Sequence, residues 1–198
     1  MNKCEGVVLH HSVTPQDLPL NQSVARINAG HRKRQFPMSK KHYYVGYHYV
    51  IAKNGEVRQT RFDYEVGAHS PQQQGNFKYL GVALIGNFNN DVLEGEQYDA
   101  LISLLRRLAK DYNWAKEDIH FHQEFKPTAC PGKDVIGKLP QIREDIFNPD
   151  PMISPHAKEA VKWASKEKLI QNWDEPQAPM SRENFAVVLH RFYKMLEG

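Results

Sequence analysis

Two histidines and one cysteine are the residues of this sequence whose types and spacing are best suited to metal chemistry. His10 ends an apolar stretch, His122 follows a second short stretch, and Cys130 lies eight positions after His122. Two neutral imidazoles and one thiolate suit Zn²⁺, and three protein ligands leave the fourth coordination position open, as in catalytic zinc sites. A lone cysteine is also a common buried apolar residue, so spacing alone leaves a structural interpretation open.

Strands and helices are predicted to alternate around these residues. Residues 6–11 form a short apolar run that is typical of a buried strand. Residues 47–52 are aromatic and β-branched, and they continue through Asn54-Gly55 into residues 56–60, which predicts a β-hairpin. Residues 81–86 are predicted as another buried strand, and residues 120–122 as a short extended segment.

Two helices are predicted between these strands. In residues 97–112, apolar side chains such as Leu101, Leu105 and Leu108 recur at helical spacing, while the basic residues face away from them. Residues 23–36 show a weaker pattern of the same kind.

Composition excludes several classes of protein. The chain has 198 residues, of which 40% are hydrophobic, so it can bury a core and is not a disordered tail. No apolar run approaches the roughly 20 residues that span a bilayer, so we expect no transmembrane segment. The first residues also lack the basic and apolar segments of a signal peptide. Cys4 and Cys130 cannot form a disulfide scaffold, although a single bridge between them stays open.

A domain boundary is predicted where Pro149 and Pro151 disfavour helix and stiffen the chain. Residues 1–148 then form one domain and residues 149–198 a small helical module. The module contains two helical patterns, the first beginning at Ser154-Pro155 and the second at Ser181.

Five stretches resemble the zinc-dependent N-acetylmuramoyl-L-alanine amidases of the type 2 family, which includes phage lysozymes and peptidoglycan recognition proteins. They occur in the family's order and together span roughly residues 5–145. They are Val7-Val8-Leu9-His10-His11-Ser12, Val45-Gly46-Tyr47-His48-Tyr49, Val66-Gly67-Ala68-His69, Leu80-Gly81-Val82-Ala83-Leu84-Ile85-Gly86, and His122 with Cys130-Pro131-Gly132. The resemblance implies an α/β fold with a mixed central sheet flanked by helices.

The resemblance also implies one Zn²⁺ per chain, held by His10, His122 and Cys130. His11 is the less suitable ligand, because the family uses the first histidine of the pair. Strand alternation also sends His10 and His11 to opposite faces of the sheet, so that one can bind metal while the other packs.

Three further positions match functional residues of the family. Tyr47 matches a catalytic tyrosine, and its phenol can donate to a developing oxyanion or orient water. Thr128 stands where members carry lysine or threonine and can donate one hydrogen bond. His69 matches a position that lines the substrate groove. A carboxylate base is not evident, since Glu124 is explained more simply as a solvated charge.

The resemblance implies a peptidoglycan hydrolase that uses a zinc-activated water molecule to cleave the amide between N-acetylmuramic acid and L-alanine. An endolysin without a signal peptide is made in the host cytoplasm and acts on the cell wall after release. The alternative is a non-catalytic peptidoglycan recognition protein that keeps the groove without turnover. Relatives that recycle wall fragments usually have glutamate where Tyr47 stands, which argues against a recycling enzyme.

The C-terminal module resembles one S-layer homology motif, carried by residues 156–164, 169–170 and 179–186. Such modules bind secondary cell-wall polymers, usually as three copies, and a single copy gains strength through multivalency. A helical hairpin that only packs is the structural alternative. A DNA-binding helix-turn-helix is disfavoured because the module's charges are nearly balanced.

Five positive charges occur within residues 32–41, in Arg32-Lys33-Arg34 and Lys40-Lys41. They could attract an anionic wall polymer, and a solvated helix end is the simpler interpretation. The net charge of the chain is only +3, so we expect no nucleic-acid partner.

Overall fold

The computed structural model describes residues 1–147, so the predicted C-terminal module lies outside the described residues. The described residues form a mixed five-stranded sheet with strand order β3-β2-β4-β1-β5. Its strands are β1 (Gly6–His11), β2 (Tyr49–Ile51), β3 (Val57–Gln59), β4 (Tyr79–Leu84) and β5 (Ile119–Phe121). The central strand β1 runs parallel to β4 and β5, β2 runs parallel to β4, and the edge strand β3 is antiparallel to β2.

Helices cover the sheet and build two separate cores. The helices are α1 (Leu20–Lys33), α2 (Gly75–Lys78), α3 (Gly95–Tyr112), α4 (Lys133–Gly137) and α5 (Leu139–Phe147). Leu9 and Ile51 belong to the larger core, which also contains the apolar stripe of α3 and Ile142 of α5. Val50 and Ile85 belong to the smaller core with the apolar side chains of α1. Because strand side chains alternate between faces, His10 lies on the α1 side of the sheet.

The predicted mixed sheet flanked by helices is confirmed. Strand β1 has the predicted bounds, and the predicted hairpin forms with Ile51 opposite Val57. Helix α1 begins and ends three residues earlier than predicted, because Leu20 joins the core and Gln35 adopts a left-handed backbone with φ of 59°. Among residues 1–147, no helix is both long enough and apolar enough to cross a membrane.

Candidate metal centre

The two histidines that end β1 have different surroundings. Both are buried, with exposed fractions of 1% for His10 and 6% for His11. The Nδ1 atom of His11 accepts the backbone N–H of Phe88 at 3.3 Å. His10 instead faces the side chains of three other segments, which leaves it as the metal-ligand candidate of the pair.

Two loops bring the other predicted ligands to His10. His122 directly follows β5, the parallel neighbour of β1, so it emerges at the same end of the sheet. Cys130 lies in the loop before α4, with its Sγ 3.6 Å from Nδ1 of His10. The backbone N–H of His11 donates to that sulfur at 3.4 Å, and the backbone N–H of Cys130 donates to Thr128 Oγ1 at 3.3 Å.

The side chains of His10, His122 and Cys130 converge as a group that could hold a metal ion. Their candidate ligand atoms all lie within 4.8 Å of one another. The Nε2 atom of His122 is buried and makes no hydrogen bond to any residue in the described part of the chain. Buried polar atoms are nearly always hydrogen-bonded, so an unpartnered nitrogen beside a thiol and another imidazole fits a cation ligand.

Burial controls the charge of these groups. It lowers the pKa of His10 well below its ordinary value, and neighbouring histidines lower it further. Burial also lowers the pKa of His122 to about 4 and raises the pKa of Cys130 to about 11. At neutral pH both imidazoles therefore keep a free lone pair, and a cation that binds the sulfur must displace its proton.

A cleft of about 600 Å³ opens beside this group. Tyr47 and Thr128 line it together with His122 and Cys130. The Tyr47 ring centroid lies 5.0 Å from that of His10, and the hydroxyl of Thr60 donates to the Tyr47 carbonyl at 2.8 Å. Burial raises the pKa of Tyr47 above its ordinary value, with the nearby Cys130 thiol adding to the effect. The phenol thus keeps its proton at neutral pH and is a hydrogen-bond donor.

The charged side chains of the cleft are cationic. Arg26 and Arg34 of α1 line it, and within residues 1–147 no carboxylate does. Glu124 faces elsewhere, because its two oxygens accept from the Phe121 backbone N–H at 2.8 Å and pair with His120 Nδ1 at 2.9 Å. No catalytic carboxylate is therefore present in the described cleft.

The five basic residues at positions 32–41 do not act as one surface. Only Arg34 among them lines the cleft. The Arg32 guanidinium lies over the Tyr44 ring, and the amines of Lys40 and Lys41 lie over the rings of Tyr64 and Phe62. Three of these cations are thus engaged with aromatic faces on the surface.

His69 lies behind His10 and is absent from the residues that line the cleft. It is only 7% exposed, and its Nδ1 atom lies 3.0 Å from Nε2 of His10. The structure thus brings His69 to the predicted ligands, while its predicted contact with substrate stays a prediction.

Sequence reasoning did not identify several residues that line the cleft, namely Arg26, His31, Asn87 and Asn89. The signal for His31 was hidden, because it occupies an apolar position of the α1 pattern and is 8% exposed. Its Nδ1 atom accepts the backbone N–H of Gly46 at 2.9 Å, which ties α1 to the segment that carries Tyr47.

Comparison with known proteins gives one family. The model described as N-acetylmuramoyl-L-alanine amidase matches residues 1–133. A peptidoglycan recognition protein of Bombyx mori is 29% identical over 153 residues, which cover 73% of this chain and 72% of that protein. The endolysin of Escherichia phage T7 is 32% identical over 96 residues, or 46% of this chain and 61% of that protein. A solved endolysin N-acetylmuramoyl-L-alanine amidase of Clostridium intestinale, 27% identical, superposes with a TM-score of 0.59 over 71% of this chain and 83% of that chain.

Proposed function

Because the chain belongs to the N-acetylmuramoyl-L-alanine amidase family, we propose that it is a zinc-dependent peptidoglycan hydrolase. Its reaction is cleavage of the amide between N-acetylmuramic acid and the L-alanine of the stem peptide. The observation that carries the proposal is the group formed by His10, His122 and Cys130 at the wall of a cleft that also presents Tyr47. Zn²⁺ held by these three residues would supply Lewis acidity at neutral pH.

Tyr47 stabilises the transition state in this proposal. Hydrolysis of an amide develops negative charge on the carbonyl oxygen, and a fixed donor aimed at that oxygen lowers the barrier. The Tyr47 hydroxyl retains its proton because burial raises its pKa, so it donates rather than accepts.

Thr128 is the second donor. Its oxygen accepts the backbone N–H of Cys130, which leaves the hydroxyl proton free to point into the cleft. The leaving nitrogen of L-alanine also needs a proton. Since no carboxylate lines the described cleft, we assign that transfer to the Tyr47 hydroxyl or to water.

A non-catalytic recognition protein is the second candidate, favoured by the similarity to the Bombyx mori protein. Such a protein needs the cleft but neither the converging metal-ligand group nor a donor beside it. The presence of His10, His122 and Cys130 together with Tyr47 supports the hydrolase.

A product assay separates the two candidates. The zinc-loaded protein is incubated with purified cell walls and with soluble muropeptides, and new amino groups of L-alanine are measured beside new reducing ends. The proposal expects amino groups without reducing ends, because the amide and not the glycan is cut. The Cys130→Ser variant serves as the inactive control and Cys4→Ser as the matched active control. Binding to walls without new amino groups would favour the recognition protein.

The similarity to two endolysins supports a role in lysis of a bacterial host. In that role the protein is made in the host cytoplasm and acts on the wall after release. The proposal that residues 149–198 bind a secondary cell-wall polymer rests on the sequence alone. Deleting residues 151–198 tests it: activity on soluble muropeptides should persist and lysis of intact walls should weaken. Equal lysis of walls by both chains would contradict the wall-binding role.

A further inference from the structure

The two ring nitrogens of His10 face different partners. Nδ1 lies 3.6 Å from Cys130 Sγ and points into the metal-ligand group. Nε2 points away from that group and lies 3.0 Å from Nδ1 of His69. On the far side of the His69 ring, Nε2 lies 3.3 Å from the backbone carbonyl of Tyr79.

This chain of contacts has a single consistent direction. The Tyr79 carbonyl can only accept, so His69 must carry its proton on Nε2 and donate it there. A neutral imidazole carries one ring proton, so Nδ1 of His69 is then an acceptor. That acceptor requires the His10 proton to be on Nε2, which leaves a free lone pair on His10 Nδ1. A backbone carbonyl thus fixes the tautomer of His10 through one intermediate ring.

The surrounding backbone holds the His69 ring in place. A Cβ atom on residue 67 would lie 2.5 Å from His69 Cδ2, and one on residue 81 would lie 2.6 Å from it. Only glycine at Gly67 and Gly81 therefore leaves room for the ring. The Asn76 side-chain oxygen accepts the backbone N–H groups of His69 at 2.8 Å and Ser70 at 2.7 Å, which fixes the start of the side chain.

We propose that His69 is a positioning residue that orients His10 for metal binding. By accepting the Nε2–H of His10, it holds the tautomer and ring orientation that direct the Nδ1 lone pair toward Cys130. Partners of this kind raise the basicity of a metal-binding histidine, and their loss typically weakens metal affinity by 10- to 100-fold. The inference rests on the ligand set of the proposed function.

His48 gives an internal comparison for this role. Its ring packs edge-on against His69, with centroids 5.7 Å apart, and is fully buried. Its nitrogens are partnered by backbone alone, since Nδ1 accepts from Gly81 N at 2.9 Å and Nε2 donates to the Glu65 carbonyl at 2.9 Å. His48 is therefore a buried histidine without a contact to His10, and its loss affects stability alone.

Two amide substitutions at position 69 separate positioning from packing. Asparagine places its amide oxygen near the site of His69 Nδ1 and can still accept from His10. Glutamine extends one bond farther, to the site of Nε2, and keeps the Tyr79 contact only. We expect the His69→Gln variant to bind zinc about 10- to 100-fold more weakly than wild type, and the His69→Asn variant to recover most of that loss. Zinc affinity is measured by competition with a chromophoric chelator, with His48→Asn as the matched control at wild-type affinity.

The outcomes distinguish this inference from the proposed function. Equal zinc affinity in wild type and His69→Gln, or equal loss in both variants at position 69, would overturn the positioning role even if muropeptides are cleaved. A zinc-binding wild type that leaves muropeptides intact contradicts the hydrolase and leaves the affinity ratio standing. The tautomers are also read without any variant, from nitrogen-15 NMR of the histidine rings in the metal-free chain. We expect the His10 proton on Nε2, and a proton on Nδ1 would refute the inference.

Discussion

The two cysteines of this chain lie in polar clusters of opposite character. Cys4 is buried next to β1, where its thiol lies 3.5 Å from the Asp63 carbonyl and its own carbonyl accepts the Trp114 indole N–H at 2.6 Å. Cys130 lies instead among imidazoles, one of which keeps a buried nitrogen without a partner among the described residues. Both clusters bury polar atoms, but only the one around Cys130 leaves lone pairs directed at a common point.

The cluster near Cys4 is closed on itself. The Asp63 carboxylate accepts from Tyr49 at 2.6 Å, from Gln59 at 2.9 Å and from Tyr112 at 2.8 Å. Burial raises the pKa of the Cys4 thiol, which therefore stays protonated and unreactive. The comparison shows that a buried cysteine indicates a metal site only where neighbouring donors lack partners of their own.

The largest expected effect comes from exchanging each cysteine for serine. Wild-type protein should carry close to one equivalent of zinc, and Cys130→Ser should lose most of it together with activity, because a neutral hydroxyl is a far weaker ligand than a thiolate. Cys4→Ser should keep both. Metal content by atomic absorption and amide cleavage are the measurements, and full zinc in the Cys130→Ser variant would remove the distinction between the two clusters.

Tyr47 gives the next effect, because it touches only the metal-ligand cluster. Tyr47→Phe removes one hydroxyl and keeps the ring, so zinc content and unfolding should be unchanged. Loss of a donor to the oxyanion should lower kcat by roughly 10²-fold or more. Turnover at the wild-type rate with intact zinc would assign the tyrosine to packing.

Much of the fold follows from local patterns. Strand β1 is bounded by its apolar run, the hairpin by Asn54-Gly55, and α3 by a long apolar stripe. Strand β4 begins two residues earlier than predicted, because its pairing with β1 sets Tyr79 opposite Gly6. Helices α4 and α5 were not predicted, since α4 has five residues and α5 nine, too short for a clear helical period.

The candidate site divides in the same way. The predicted ligands His10, His122 and Cys130 could be chosen from residue type, because few side chains bind zinc. The place of His69 could not, because its partner lies 59 residues away and its slot exists only through two glycines. The closed cluster around Asp63 also left no sequence signal, since its donors come from three separate segments.

Acid sharpens the comparison at a histidine whose nitrogens are both partnered. Burial lowers the pKa of His48 to about 4, whereas an unfolded histidine titrates near 6.5. The unfolded state therefore binds a proton first as the pH falls. The contribution to stability is intact above pH ~6.5, declines between ~6.5 and ~4, and amounts to about 3 kcal/mol.

Urea unfolding of the metal-free chain between pH 7 and pH 4 measures this effect. The His48→Gln variant lacks the titrating group, so its free energy of unfolding should fall less steeply over the same interval. Other groups titrate in both proteins, and the difference between the two slopes isolates His48. Identical slopes would show that His48 is already charged in the folded protein.

Tyr49→Phe gives the smallest effect and the closest control for Tyr47. The two tyrosines are two positions apart, so they share one side of the backbone alternation, yet Tyr47 precedes β2 and lines the cleft, whereas Tyr49 packs in the larger core and donates to Asp63. Hydrogen bonds to charged groups contribute about 1.5–3 kcal/mol. Since Gln59 and Tyr112 still donate to the same carboxylate, we expect a loss near the lower bound, about 1.5 kcal/mol in the free energy of unfolding, with activity and zinc content unchanged. A drop in activity comparable to that of Tyr47→Phe would mean that the Asp63 cluster is coupled to the metal-ligand group and that the two clusters are not independent.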